Sequence, residues 1–245
     1  MSGLARSFRR RVRGRVVAGP PPPPPPYHPT SEAGLWAYYE GHLDGSGQWS
    51  DMTGNGRHGT QATVDDQPAN GTDALDRDCL VFDATKYLYL PAMHSLTQGA
   101  VYVAVAADAD PAAQSSHVGL WHAGGSGVPT VYPWTNGHLN DDCGSTVRRE
   151  MGVPGVTMGD MGLSLADLHV YSVKSTPSIW EARIDGDVLY STETNTVGFP
   201  GDLYLPVLGR ASNPDLMFKG KVTALAIFST PPSDDAELLA YMMGA

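Results

Sequence analysis

Several features that mark well-known classes of protein are scarce or missing in this chain. Its 245 residues include only two cysteines, Cys79 and Cys143, too few for a disulfide framework, and no Cys-x-x-Cys pair occurs. Two free thiols and a single bridge are both compatible with this count. The longest apolar run, residues 100–107, is far shorter than the roughly 20 residues that cross a bilayer. We therefore expect no membrane insertion.

Charged side chains are also few, at 17% of the sequence, whereas the chain contains 28 glycines and 20 prolines. This turn-rich composition, combined with short apolar runs, favours an all-β class over a helical one. Apolar residues make up 41% of the chain, enough for a substantial core and against general disorder.

The charges are distributed unevenly along the chain. Residues 1–19 carry six arginines and no acid, and the remainder carries the other 10 basic residues and all 26 acidic ones. A cationic arm pairs with phosphates or acidic protein surfaces, whereas an acidic body repels nucleic acid. We interpret the arm as an anchor to other proteins; a disordered solubilising tail and a DNA-binding arm are the alternatives. The arginines are Arg6, Arg9, Arg10, Arg11, Arg13 and Arg15.

A run of seven prolines, residues 20–26, follows the arm. Such a run adopts polyproline II and forms a stiff spacer about 20 Å long. Gly19 and these prolines occupy the place where an export signal would need an apolar stretch, so we expect no export signal. The predicted organisation is an arm (residues 1–19), a linker (20–30) and one domain (31–245).

Short β-strand patterns recur through the body with turn residues between them. We expect residues 79–82 and 87–90 to pair, residues 100–106 to be buried on both faces, and residues 221–228 to close the sheet. Asp185-Gly186 predicts a tight hairpin, because both central residues of such a turn need positive φ. The predicted strands cover residues 35–39, 79–82, 87–90, 100–106, 117–121, 168–173, 178–184, 188–190, 204–208 and 221–228.

Near the end of the chain, the hydrophobic pattern changes from the two-residue period of a strand to the period of a helix. Residues 232–237 offer an N-cap and negative charge for the first turn of a helix. Leu238, Leu239 and Met242 then form one apolar stripe that would pack on the sheet.

Three segments, in order, resemble the laminin-G-like, concanavalin-A-like jelly-roll superfamily. They are a Gly-rich loop at residues 49–60, the Leu-Val-Phe-Asp and Tyr-Leu-Tyr-Leu segments at 80–83 and 87–90, and a closing Gly…Phe-x-Gly signature at 208–237. The resemblance spans residues 34–245 and departs at an insertion, residues 108–165. It implies an all-β jelly-roll sandwich with one short C-terminal helix.

The Gly-rich loop also makes physical sense without any family. Gly54, Gly56 and Gly59 permit left-handed or crowded backbone positions, and Asp51 and Asn55 can cap backbone amides. We therefore interpret it as a structural turn. Calcium is the one cofactor to consider, because some relatives bind it, but only Asp51 and Asn55 offer side-chain oxygens; otherwise we expect no metal or cofactor.

The sequence favours binding over catalysis. No Gly-x-Ser-x-Gly or His-Glu-x-x-His motif occurs. Glu181 and Asp185 are four positions apart with Asp185 in a turn, which does not fit the two facing carboxylates of a retaining glycosidase. We therefore predict that the chain is not an enzyme; a jelly-roll glycoside hydrolase is the alternative.

The insertion carries a candidate glycan site. Sugar rings need an aromatic surface for their CH faces and polar side chains for their hydroxyls. Contact with a neighbouring subunit, or packing on the sandwich, would explain the same residues. The candidates are Trp134, Asn136, Asn140, Asp141 and Asp142.

The order of arm, proline run and jelly roll is similar to minor tail and other accessory virion proteins of tailed bacteriophages. This resemblance implies a structural protein made in the host cytoplasm and carried in several copies on a symmetric particle, on the tail rather than the capsid. Its arm would bind other virion proteins, and its jelly roll would be displayed for host-surface glycan adhesion. A head decoration or fibre protein is the alternative.

Overall fold

The computed structural model describes residues 26–93, 95–108, 120–122, 146–147, 156–157, 163–193, 205–210 and 217–245. The six arginines of the arm, the candidate glycan residues of the insertion (Trp134, Asn136, Asn140, Asp141 and Asp142) and Cys143 lie outside these ranges. Within them, no helix is both long and apolar enough to cross a membrane.

The regular structure of the described chain consists mainly of antiparallel strands, followed by one α-helix. Single 3-10 turns occur at Pro29–Ser31 and Val64–Asp66. The elements are β1 (Leu35–Glu40), β2 (Gln48–Trp49), β3 (Gly59–Thr60), β4 (Ala69–Thr72), β5 (Asp78–Asp83), β6 (Leu88–Tyr89), β7 (Gly99–Ala107), β8 (Trp121–His122), β9 (Thr146–Val147), β10 (Val156–Thr157), β11 (His169–Ser175), β12 (Trp180–Ile184), β13 (Asp187–Thr192), β14 (Val207–Leu208), β15 (Lys219–Phe228) and α1 (Ala236–Met243).

Two sheets form the sandwich. The large sheet has the order β13-β12-β11-β7-β15-β5-β4, and β1 also pairs with β15. The small sheet has the order β2-β3-β6-β14-β8, and β9 and β10 pair separately. The main core includes inner-face residues such as Trp49, Phe82, Leu88, Trp180 and Leu225, all at most 1% exposed. Burial of these side chains on the alternate positions of each strand holds the two layers together.

The prediction for the central strand is confirmed, because β7 is buried on both faces. Val101 and Val103 belong to the main core. Tyr102 and Ala104 belong to a second cluster on the outer face of the large sheet, together with Leu238, Leu239 and Met242 of α1. The predicted apolar stripe therefore packs on the sheet, as expected. Because α1 covers the outer face of β7, this strand is buried on both sides.

The hairpin prediction is also confirmed. Asp185 and Gly186 connect β12 to β13 and have φ values of 51° and 91°. Asp185 Oδ1 accepts the backbone N–H of Val170 at 2.7 Å. Its Oδ2 lies 2.6 Å from His169 Nδ1, so the turn is tied to the neighbouring strand β11. This second role of Asp185 explains an aspartate, rather than an asparagine, at the first turn position.

The His169–Asp185 pair predicts a pH-dependent stability. Hydrogen bonding to Asp185 raises the pKa of His169 above its ordinary value, against burial, which lowers it, and with help from the Ser164 carbonyl. A histidine whose pKa is higher in the folded than in the unfolded state stabilises the fold. This contribution is complete when the pH is below the unfolded-state pKa, and it disappears as the pH rises through the folded-state pKa. We expect the urea midpoint of the wild type to exceed that of His169→Gln most at pH 5.5. The gap should shrink by pH 8.5, and a constant gap would contradict the pairing.

Two predictions about strand pairing are wrong. Residues 79–82 and 87–90 do not pair, because β5 joins β4 and β15 in the large sheet, whereas β6 joins β3 and β14 in the small one. The link between them crosses from one sheet to the other, with Ala84 at φ 70°. Residues 221–228 do not close the sheet either. The strand β15 is interior, with β7 on one side and β5 and β1 on the other.

Candidate functional site

A groove of about 490 Å³ opens on the outer face of the large sheet, beside the last turn of α1. We call it the helix groove. Its volume lies within the range of small-molecule sites, about 300–1,000 Å³. The residues that supply its chemistry are Tyr38, Glu40, Arg77, Asp78, Tyr241 and Met242.

The alternation of β1 explains why two of these residues face the groove. Along Leu35–Glu40, Ala37 and Tyr39 point into the main core, and Tyr38 belongs to the outer cluster. Successive side chains of a strand point to opposite faces, so Glu40 lies on the same face as Tyr38. The groove therefore begins with a tyrosine and a carboxylate two positions apart.

Two phenol hydroxyls converge on this carboxylate. Glu40 Oε2 accepts the hydroxyl of Tyr38 at 2.7 Å and that of Tyr241 at 3.3 Å. Burial and the nearby Glu40 charge raise the pKa of both phenols above the ordinary range. Both hydroxyls therefore stay protonated and act as donors, which fixes the orientation of the carboxylate.

Aromatic rings from the start of the body pack against the two groove tyrosines, Tyr38 and Tyr241. The His28 ring meets those of Tyr38 and Tyr241 edge-on, with centroids 5.8 and 5.4 Å apart, and Tyr27 lies 6.0 Å from Tyr241. His28 Nε2 is 3.5 Å from Glu40 Oε1. Tyr27 and His28, which the sequence analysis assigned to the linker, thus contact β1 and α1.

Arg77 joins the helix to the sheet at the other end of the groove. Its Nη1 donates to the carbonyls of Tyr241 and Met242 at 3.4 and 3.0 Å, where the negative end of the helix dipole attracts a cation. Its Nε and Nη2 each lie 2.8 Å from Asp73 Oδ2. Burial alone would raise the pKa of Asp73, but hydrogen bonds from Arg77 and from the Leu75 backbone lower it.

The Gly-rich loop is a structural turn, as predicted. Asp51 accepts the backbone N–H groups of Tyr38, Thr53 and Arg57 at 3.0–3.2 Å. Burial opposes ionisation of Asp51, yet these bonds and the Thr53 hydroxyl lower its pKa. Asn55 donates to Thr53 instead of joining Asp51. In the described part of the chain, no cluster of three His, Cys, Asp or Glu side chains could hold a metal ion.

Other residues named from the sequence have structural partners. Glu181 Oε1 accepts Arg183 Nε at 2.8 Å, and Asp185 belongs to the hairpin, so the two acids are separately engaged. Cys79 is a buried free thiol, and burial raises its pKa. The residues predicted to bind glycan, Trp134 to Asp142, lie outside the described ranges and stay a prediction.

Sequence reasoning missed the helix groove because its walls are distant along the chain: Glu40 and Tyr241 are 201 positions apart. One signal was available. Tyr38 and Glu40 are two positions apart in β1 and therefore lie on the same face of the strand. Tyr241 is a polar-tipped residue within the otherwise apolar end of the helix. Both patterns also occur on ordinary protein surfaces, so only the folded structure shows that these residues meet in a groove.

Comparisons with known proteins identify the architecture. No protein-family model matches the chain, and no curated protein does. Among solved structures, domain 4 of AbnA, an extracellular GH43 arabinanase from Geobacillus stearothermophilus solved with arabinotriose, aligns with a TM-score of 0.59 and 18% identity, covering 85% of this chain and 99% of that one. Trypanosoma rangeli sialidase with the inhibitor DANA gives 0.61 and 14%, covering 89% of this chain and 35% of the sialidase.

A third similar structure is the binding domain of Paraclostridial Mosquitocidal Protein 1, with a TM-score of 0.58, 10% identity, and coverage of 85% of this chain and 52% of that one. The chain has a jelly-roll β-sandwich fold. At these identities the likeness concerns the fold alone. The chain spans about a third of the sialidase chains that it matches.

The comparisons correct one prediction. We expected the chain to lie outside the enzymes, but the jelly-roll neighbours include sialidase chains and a domain of an arabinanase. The argument from Glu181 and Asp185 rejected one spacing of catalytic acids on one strand. That argument did not consider acids brought together from distant segments, or a jelly roll that forms part of a glycosidase. The prediction that the chain is not an enzyme is therefore withdrawn.

Proposed function

We propose that this jelly roll binds a glycan in the helix groove. The observation that carries the proposal is Glu40, a carboxylate held at one oxygen by the hydroxyls of Tyr38 and Tyr241, in a groove that both tyrosines line. An ionised carboxylate has about four acceptor positions, so Glu40 keeps capacity for sugar hydroxyls. Tyr241, which is partly exposed, offers apolar surface for the CH face of a ring.

The comparisons support the same class of ligand. The arabinanase domain, which this chain covers almost completely, was solved with arabinotriose. A carbohydrate ligand also suits the mixed lining of the helix groove, because sugar recognition combines apolar contact with a few fixed polar groups. The insertion site at Trp134 is a second place where a glycan could bind, and the experiment below separates the two.

Glu40→Gln is expected to weaken glycan binding about 10- to 100-fold, the equivalent of one charge-assisted hydrogen bond. A glycan panel that includes arabinotriose would first identify a ligand of the full chain, and titration calorimetry would then compare variants. The amide oxygen that replaces the carboxylate can still accept from Tyr38 and Tyr241, so the fold should persist.

Glu193→Gln, an exposed residue after β13 at the opposite edge of the large sheet, is the matched control and should bind like the wild type. Loss of binding in Trp134→Ala, with Glu40→Gln unchanged, would move the site to the insertion. Absence of binding to every glycan would refute the proposal.

The N-terminal layout supports a finer proposal, that the module is part of a bacteriophage virion and most closely a minor tail protein. Six arginines can make bidentate contacts with carboxylates of other virion proteins, and many copies give avidity. Deleting residues 1–19 should abolish incorporation into particles while leaving glycan binding intact. Normal incorporation of the truncated chain would refute the anchor.

A further inference from the structure

We infer that the helix groove accepts an uncharged sugar and rejects an acidic one, an inference that rests on the glycan-binding function proposed above. Two acids line the groove, Glu40 and Asp78, and Arg77 is the one lysine or arginine among its described lining residues. Whether the groove attracts or repels an anion therefore depends on how much of the Arg77 charge is available to a ligand.

The contacts of Arg77 leave little charge for a ligand. Its Nε and Nη2 lie 2.8 Å from the Asp73 carboxylate, whose side chain is only 2% exposed, and its Nη1 points at two carbonyls of the helix end. Nη2 is itself buried, and its contact with Asp73 is an ion pair without hydrogen-bond geometry. Asp73 also accepts the Thr223 hydroxyl at 3.1 Å, which holds it in place. The guanidinium is thus neutralised by a partner behind the groove and turned away from a bidentate contact with a ligand carboxylate.

The two acids that face the groove lack a comparable partner among the described residues. Glu40 has only the tyrosine hydroxyls and His28 Nε2 at 3.5 Å. Asp78 has His42 Nε2 at 3.6 Å, and that nitrogen also lies 2.8 Å from the Gly71 carbonyl. A sugar hydroxyl can donate to either acid. A uronate or sialate carboxylate can only bring a further negative charge close to them, and like charges that meet in an interface repel each other.

The test is titration calorimetry of the full chain at pH 8, where histidine side chains as a class are largely neutral. The ligands are arabinotriose, galactotriose, and trigalacturonic acid of the same linkage as the galactotriose. The last two differ only in a hydroxymethyl group or a carboxylate on each ring. We expect the acid to bind at least about 10-fold more weakly than the better neutral sugar at low salt, with a smaller gap at high salt because salt screens repulsion.

Asp78→Asn should narrow the gap between galactotriose and trigalacturonic acid, whereas Asp187→Asn, on the distant strand β13, should leave it unchanged. Equal or tighter binding of trigalacturonic acid, or a sialylated glycan as the best ligand of the panel, would overturn the inference and leave the proposed function standing. If no glycan of either kind binds, the proposed function fails and the inference fails with it.

Discussion

Arg77→Met is expected to lower the free energy of unfolding by about 3 kcal/mol, because it leaves a buried carboxylate without its partner. The Asp73 side chain is 2% exposed and lies 2.8 Å from two nitrogens of Arg77. The substitution also removes the donors to the carbonyls of Tyr241 and Met242, so α1 loses its polar link to Arg77 and keeps its apolar packing on the sheet. Urea denaturation measures the change.

A double-mutant cycle separates the pair from the rest of the contact. Asp73→Asn combined with Arg77→Met should lose less stability than the sum of the single variants, since neither charge is then left unpaired. Lys219→Met is the control, because the Lys219–Asp108 pair is 39% and 54% exposed and such pairs contribute about 1 kcal/mol or less. A loss of stability in Arg77→Met no larger than in Lys219→Met would contradict the contribution assigned to the Arg77–Asp73 pair.

Gly220→Ala is expected to destabilise the fold by at least about 3 kcal/mol, for a reason of backbone geometry. Gly220 has φ 154°, and an added Cβ would lie 2.3 Å from the Ala106 carbonyl oxygen and 2.9 Å from Ala107 Cα. Those atoms belong to the central strand β7, so they cannot move aside as a flexible side chain could. The strained φ adds to the cost.

Gly45→Ala provides the matched control for this prediction. An added Cβ there meets no atom within 4 Å. Its free energy of unfolding should therefore stay within about 0.5 kcal/mol of the wild type. Similar unfolding midpoints for Gly220→Ala and Gly45→Ala would show that β15 does not approach β7 as described.

The sequence predicted the elements whose signals are local. The strand at residues 100–106 has an uninterrupted apolar run, and Asp185-Gly186 combines turn residues with alternating flanks, so both were recognised. The strands β2, β3 and β4 were missed because they are short and mostly polar, as Ala69–Thr72 illustrates. Their positions follow from pairing with partners, which a local pattern does not reveal.

Long-range arrangement explains the remaining differences. Residues 79–82 and 87–90 are predicted to pair from their apolar patterns, whereas the jelly roll places them in different sheets. The helix groove could not be predicted for the same reason. Its lining combines residues of β1 and α1, which are distant along the chain. Arg77 and Asp73 are only four positions apart, but the contact of Arg77 with the end of α1 spans 165 positions.

The central claim is that a glycan lies against Glu40, and a crystal structure of the full chain with its tightest neutral oligosaccharide tests it most directly. We predict a sugar hydroxyl within hydrogen-bond distance of a Glu40 oxygen and a sugar ring against Tyr241. A sugar bound at Trp134 with the helix groove vacant, or at any other surface of the jelly roll, would contradict the account.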